Sequence, residues 1–425
     1  MNQTPKGNRL QIALFGRTNV GKSSLLNMIA GQDFAITSPV AGTTTDVVEK
    51  TMELLPLGPV VFLDTAGLDD TSRLSDLRLK KTEKIYDRAD VALLVTEPDI
   101  WTEYEENVLR ETAKRRIPVL IVINKIDLAS PSPEFTSRFL EKKQPFLAVS
   151  NTDESRREVY VASLKRHLIE IAPEGLFQTP SLIGDLLPPG GLAVLVVPID
   201  LQAPKGRLIL PQVQTIRDAL DNDAAAMMVK ERELAAMLSL LTRKPDVVVC
   251  DSQAILKVSA DVPKDVPCTT FSILFARQKG DLVTMAEGAT HLDNLQPGDK
   301  ILIAEACSHH PLQDDIGRIK IPRWLRQYLG FEIQSDVYAG RDFPDRLREY
   351  KLMIHCGACM LTRREMLNRI QKAKEAGVPI TNYGVAISFL QGVANRTLAP
   401  FPAAHFALER KSTRKRQALT ILRLS

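Results

Sequence analysis

The segment GRTNVGKS, Gly16 to Ser23, constrains this chain more than any other. It follows the apolar run IALF and precedes SLLNMIAG, whose apolar residues recur at helical spacing. A glycine-rich turn between a strand and a helix gathers backbone N–H groups at the helix N-terminus, where they hold phosphate. Gly16 and Gly21 let the backbone curl, and Lys22 reaches the β- and γ-phosphates. Ser23 offers a hydroxyl to Mg2+, with Ser24 next to it in the first turn. Such a loop belongs to a parallel sheet flanked by helices. LQIALF, VVFLDTAG, VALLVTE and PVLIVINKID read as its buried strands, and KSSLLNMIAG and EENVLRETAKRR as helices.

Further segments stand in the order a nucleotide site requires. DTAG ends an apolar strand; Asp64 holds the Mg2+ shell there, and the Gly67 N–H senses the γ-phosphate. NKID ends another, with Asn124 and Lys125 leading to Asp127. A carboxylate there accepts hydrogen bonds from guanine N1–H and N2–H2, which adenine cannot supply. AGTTTD lies between them, where a switch loop belongs. Thr44 is expected to join Mg2+ in the triphosphate state, with Thr43 and Thr45 as rivals. AVSN, at 148–151, sits where a second base-contacting loop belongs. The reading is binding of GTP and GDP with Mg2+, and hydrolysis of GTP to GDP and phosphate served by Lys22, Thr44, Asp64 and Gly67. Leu68 stands where a glutamine would orient the attacking water, so slow hydrolysis is expected; Asp69 and Asp70 are not assigned that role.

A chain of 425 residues exceeds a single core. Proline and glycine concentrate in IAPEGLFQTPSLIGDLLPPGG, which reads as a linker, and DVPKDVPCTTF marks a softer boundary. The expected fold class is α/β: a phosphate-binding-loop GTPase domain at 1–174, and two further α/β domains with mainly parallel sheets at 180–265 and 266–425. No sequence repeat is evident in this reading. A net charge of +4 and 5% aromatic content give no basic, aromatic-studded surface, so neither nucleic acid nor membrane is expected as a partner. The basic tail ERKSTRKRQALTILRLS reads as a solvated terminus. Five cysteines without a secretory signal point to the reducing cytoplasm.

Three of those cysteines gather in one pattern, C-x-H-x45-H-C-x-x-C, formed by Cys307, His309, His355, Cys356 and Cys359. Cys307 follows the strand DKILIAEA and Cys356 follows YKLMIH. Loops at the C-terminal ends of parallel strands meet at one sheet edge, so three thiolates can converge. That suits an iron–sulfur cluster with one irregular corner, and a Cys3His zinc site is the rival. His309 and His355 are candidates for the fourth position or for tuning nearby; His310 carries less weight. Cys250 and Cys268 stand alone among apolar neighbours and read as core. His167, His291 and His405 read as ordinary residues.

The set GRTNVGKS, GTTTD, DTAG and NKID resembles the bacterial translation-factor-related GTPases of the Era and TrmE group. In that group an asparagine matching Asn19 helps to hold K+ beside the phosphates, which implies K+ stimulation. Joined to C-x-H-x45-H-C-x-x-C, the whole resembles the HydF family of FeFe-hydrogenase maturation GTPases. The likeness runs over nearly the whole chain; LLPPGGLAVLVVPIDLQAPKGRLILPQVQ and DVVVCDSQAILKV are similar to that family's dimerisation domain. The resemblance implies a homodimer or higher oligomer with a [4Fe–4S] cluster on the three cysteines and a labile fourth ligand. It also implies a diiron subcluster assembled as cargo with radical-SAM maturases and delivered to apo FeFe-hydrogenase. The alternative is an RNA- or ribosome-associated GTPase with a structural Cys3His zinc site.

Overall fold

The computed structural model describes residues 5–31, 48–64, 75–172, 180–198, 208–306, 315–340, 343–344 and 346–410, with 6, 48 and 75–81 described by backbone alone. Two compact units divide the chain at 179/180.

The first unit is built on one sheet of β1 (Leu10–Phe15), β2 (Val48–Leu54), β3 (Gly58–Asp64), β4 (Val91–Thr96), β5 (Val119–Ile123) and β6 (Phe146–Ala148). The order is β2-β3-β1-β4-β5-β6, parallel except for β2 against β3. Helices α1 (Lys22–Ala30), α2 (Ser75–Arg88), α3 (Glu103–Lys114), α4 (Pro133–Glu141) and α5 (Arg157–Ile171) connect the strands. The central strands β1, β4 and β5 are buried at every position and mostly apolar because both faces are covered. Ile12, Leu14, Phe62, Leu93 and Leu120 fill one face with Leu25 and Leu164. Ala13, Phe15, Leu63 and Leu94 fill the other with Ile85 and Val108. Each large side chain buried this way contributes about 1.5–3 kcal/mol. Helix α3 starts where Thr102 and Glu105 cap each other, and α4 where Ser132 caps Phe135 ahead of Pro133.

The second unit carries two sheets. One consists of β7 (Leu192–Val196), β8 (Ala225–Val229), β9 (Val247–Cys250) and β10 (Cys268–Thr270), in the order β10-β9-β7-β8. The other consists of β11 (Lys300–Ala304), β12 (Gln334–Tyr338), β13 (Leu352–His355) and β14 (Ile380–Asn382), in the order β12-β11-β13-β14. All their pairings are parallel. The helices are α6 (Leu210–Asp221), α7 (Leu234–Leu240), α8 (Ile255–Asp261), α9 (Phe271–Lys279), α10 (Leu282–Ala289), α11 (Ile321–Leu329), α12 (Arg363–Ala376), α13 (Tyr383–Leu390) and α14 (Ala394–Leu398). One continuous apolar core joins both sheets, so the stretches 180–265 and 266–425 share buried contacts. The expected α/β class with mainly parallel sheets is what the strands form.

A repeat that the sequence reading missed is visible here. In order of appearance, both four-stranded sheets run second, first, third, fourth. The Val248 N–H donates to the Pro267 carbonyl, and the Met353 N–H to that of Pro379, both at 2.9 Å. Superposed on that equivalence, VPCTTFSILFARQKG at 266–280 and VPITNYGVAISFLQG at 378–392 align without a gap. Thr270 and Asn382 occupy equivalent positions and cap α9 and α13. The same alignment sets Asp251 opposite Cys356, so one half keeps a thiol where the other has a carboxylate.

Among the described residues, no helix is long and apolar enough to cross a membrane.

Candidate nucleotide site and cysteine edge

The loop from β1 to α1 has the backbone of a phosphate cradle. Gly21 lies at φ 96°, and a Cβ there would stand 2.2 Å from Asn124 Nδ2. At Gly16 a Cβ would stand 2.6 Å from the Val95 carbonyl oxygen. Both positions therefore exclude side chains, as the spacing of the motif demands. Asn19 also adopts a left-handed conformation, at φ 65°, with its side chain exposed. The buried Lys22 ammonium donates to the carbonyls of Gly16 and, at 2.8 Å, Arg17. It is thus held across the loop mouth. No side chain caps the start of α1, and Ser23 and Ser24 are exposed in its first turn. Those N–H groups and hydroxyls suit an anion with its metal.

The base side is organised from β5. Asn124 is buried; its Nδ2 donates to Val20 O at 2.8 Å, and its Oδ1 accepts from Asn151 N at 3.2 Å. Asn151 Nδ2 in turn donates to Gly21 O at 3.1 Å, tying the two loops together. Asp127 is exposed and accepts from the Ser150 hydroxyl at 2.7 Å and the Thr152 hydroxyl at 3.4 Å. The Ser150 hydrogen bond is the main reason its carboxyl lies below the usual carboxylate range. Lys125, at φ 65°, pairs with Glu97. Asp64 is buried at the end of β3. Thr44 and Gly67 lie outside the described residues, as do Thr43, Thr45, Leu68, Asp69 and Asp70. Sequence reasoning missed Ser150 and Thr152 as partners of Asp127 and Glu97 as partner of Lys125; AVSN was the signal that led closest.

The cysteine edge lies where β11 and β13 end side by side, with Ala304 opposite His355. Cys356 N–H donates to Ala304 O at 2.8 Å, which fixes the first turn residue. The Cys356 sulfur accepts from the N–H groups of Ala306 at 3.0 Å and Ala358 at 3.5 Å. Ala358 turns the chain at φ 57°, and the mutual cap of Thr362 and Glu365 starts α12 behind Cys359. Both thiols are partly exposed. Backbone N–H groups aimed at the Cys356 sulfur hold it in place at the sheet edge, an arrangement that suits a sulfur ligand. Cys307, His309 and His310 lie outside the described residues. Among the described residues, no group of three His, Cys, Asp or Glu side chains is placed to hold a metal ion.

His355 departs from its expected place in the donor set. It is fully buried; Nδ1 donates to the Cys356 carbonyl at 2.8 Å, and Nε2 accepts from Arg369 at 2.9 Å. Burial first, and the Arg369 charge second, push its pKa down to about 3. Both ring nitrogens of the neutral imidazole are engaged by protein, so in this geometry His355 orients the turn and offers no lone pair to a metal. The reason is strand alternation, which sends adjacent side chains to opposite faces. Arg369 is fixed in turn by the Gly340 carbonyl at 2.9 Å and the Phe343 ring. Buried Glu305, next to the edge, accepts from Tyr383 at 3.3 Å and Arg318 at 3.4 Å; sequence gave no signal for it. Cys250 and Cys268 are in the core as expected, and burial pushes both thiols up, Cys268 to about 11.

Fold and site define a P-loop GTPase joined to a two-sheet α/β unit. Residues 11–125 match the family model of a 50S ribosome-binding GTPase. Residues 182–280 match the hydrogen maturase F dimerization domain, and 283–400 the hydrogen maturase F tetramerization domain. The chain belongs to the HydF family. Over 144 residues it is 38% identical to the tRNA modification GTPase MnmE of Prochlorococcus marinus, covering 33% of this chain and 31% of that protein. It is 35% identical to the GTPase Der of a Nitratiruptor species over 147 residues, 34% of this chain and 32% of that one. The chain thus spans about a third of the length of these relatives. The solved structure of Aquifex aeolicus Era shares 26% identity, with a TM-score of 0.32, over 39% of this chain and 57% of its own.

Proposed function

We propose that the protein is a GTP-binding and hydrolysing scaffold that assembles and carries a diiron subcluster for apo FeFe-hydrogenase. The observation that carries the reading is the Cys356 sulfur, which receives two backbone N–H groups at the shared end of β11 and β13. The family membership supports it. Three parts divide the labour: 1–174 for the nucleotide, a middle part that runs on through β10 for dimerisation and the remainder for the cluster. Cys307, Cys356 and Cys359 would hold a [4Fe–4S] cluster, with His309 beside its fourth position. Bound there, the cluster would supply an iron with a labile fourth position, the chemistry that a carrier of diiron cargo needs. The protein's own part is to hold the thiolates with backbone donors and to lock the turn through His355 and Arg369.

At the other end, Gly16, Gly21 and Lys22 would hold the phosphates. Ser23, Thr44 and Asp64 would hold Mg2+, and Gly67 would sense the γ-phosphate. Asn124, Lys125 and Asp127 would read guanine, and Asn19 would help to hold K+. Leu68 orients no water, so hydrolysis alone is slow and the nucleotide times the work. Radical-SAM maturases and apo-hydrogenase are the partners, in the reducing cytoplasm, with the chain assembled as a dimer or higher oligomer. The test is activation of apo-hydrogenase by the anaerobically loaded protein. Wild type should restore hydrogen evolution and Cys359→Ala should not; equal activation by both would overturn the reading.

A further inference from the structure

We propose that Glu97 is a positioning residue that couples the phosphate loop to the guanine loop, so that each half of the nucleotide is recognised better when the other is in place. The proposal rests on the GTP-binding reading and adds a residue outside its motifs.

Topology puts Glu97 between the two loops. β4 lies between β1, which leads into Gly16, and β5, which leads into Asn124; Glu97 is the first residue after β4. Its carboxylate meets a cation from each side. Lys125 of the guanine loop pairs with Oε1, and Nη2 of Arg17, in the phosphate loop, stands 3.8 Å from Oε2. Arg17 does not reach there by chance. Its Nε donates to Glu105 at 2.7 Å, and the Glu105 side chain is fully buried and capped to Thr102. This anchor leaves Arg17 Nη2 buried without a hydrogen bond, facing Glu97. The Gly16 N–H adds a second tie to the same helix, donating to the Tyr104 hydroxyl at 3.2 Å.

An exposed ion pair between mobile side chains contributes little, because its ordering costs entropy. Glu97 differs because its backbone is fixed in advance. Glu97–Pro98–Asp99–Ile100 forms a tight turn, with Ile100 N–H donating to Glu97 O at 3.3 Å and Asp99 at φ 57°. The Asp99 carboxylate clamps Ser132 N at 3.0 Å, and the Thr96 hydroxyl donates to Ile100 O at 2.7 Å. One carboxylate on a braced turn therefore serves two cations, each within a few residues of a nucleotide contact. Without it, Lys125 would lose its ion-pair partner and Arg17 would be held by Glu105 alone, so the two loops would lose their shared reference point.

The experiment is equilibrium titration of the full chain with fluorescent GDP and inosine diphosphate, which lacks the guanine N2 amino group, on wild type, Glu97→Gln, Arg17→Gln and the double variant. Glu97→Gln should weaken GDP binding roughly tenfold and narrow the preference for GDP over inosine diphosphate. Losses in the double variant should fall short of additive by roughly threefold or more. GDP affinity within twofold of wild type would overturn the proposal. So would additive losses with an unchanged preference, the pattern of a merely structural residue. Should Glu97→Gln unfold, Glu97→Asp with Arg17→Gln carries the same comparison. A wild-type chain that bound neither nucleotide would overturn the underlying GTP reading too.

Discussion

Replacing Asp127 with alanine removes the carboxylate proposed to accept two hydrogen bonds from guanine. GDP affinity should fall roughly 100-fold, the combined weight of two charge-assisted bonds, as titration calorimetry would register. The pH dependence has a definite sign. Because the Ser150 hydroxyl holds this carboxyl below the usual range, its contribution is full above the ordinary aspartate value and is lost only as pH falls through the lowered one. Ser150→Ala should move the acid limb of GDP binding to higher pH; an unmoved limb would contradict that role. Gly21→Ala places a Cβ 2.2 Å from Asn124 Nδ2 on a backbone at φ 96°. Strain of about 1–3 kcal/mol should displace the loop and abolish measurable GDP binding while the rest of the unit stays folded. The motif glycines were legible in the sequence because the tight turn of a phosphate loop requires them at fixed spacing. Glu97, Ser150 and Glu305 were not, since each acts through a partner that only the folded chain brings near.

Among elements, strand identity was the most legible. Runs such as VALLVT and VLIVI are buried on both faces and read as continuous apolar segments. The repeat in the second unit was hidden because its two copies agree mainly at backbone-determined positions: the proline before each last strand, the capping residue and the closing glycine. The apolar positions between them exchanged side chains freely, as cores tolerate when volume is kept. Of the two roles open to His355, fourth ligand or neighbour that tunes the site, its engaged ring nitrogens suit only the second, since strand alternation separates its side chain from that of Cys356. Helix α12 offers a test at this scale. Its first turn carries the reciprocal cap of Thr362 and Glu365, with Glu365 N–H donating to the Thr362 hydroxyl at 3.1 Å. Thr362→Ala should cost about 1 kcal/mol, seen as a lowered thermal midpoint, and should loosen the turn that ends at Cys359. An unchanged midpoint would show that the cap contributes nothing there.

At the scale of the whole molecule, a phosphate-binding loop lies near one end of the chain and a C-x-x-C turn near the other. The nucleotide end rests on the phosphate loop and the NKID and AVSN loops, described around a mainly parallel sheet. The cysteine end rests on one well-held sulfur, its neighbour in the C-x-x-C turn, and membership in a family named for hydrogenase maturation. Electron paramagnetic resonance of the anaerobically reconstituted, dithionite-reduced chain, alongside Cys356→Ala, tests that end most directly. The account predicts a reduced [4Fe–4S] signal with about four irons per chain, lost or crippled in the variant. No iron signal, with about one zinc per chain by metal analysis, would contradict it.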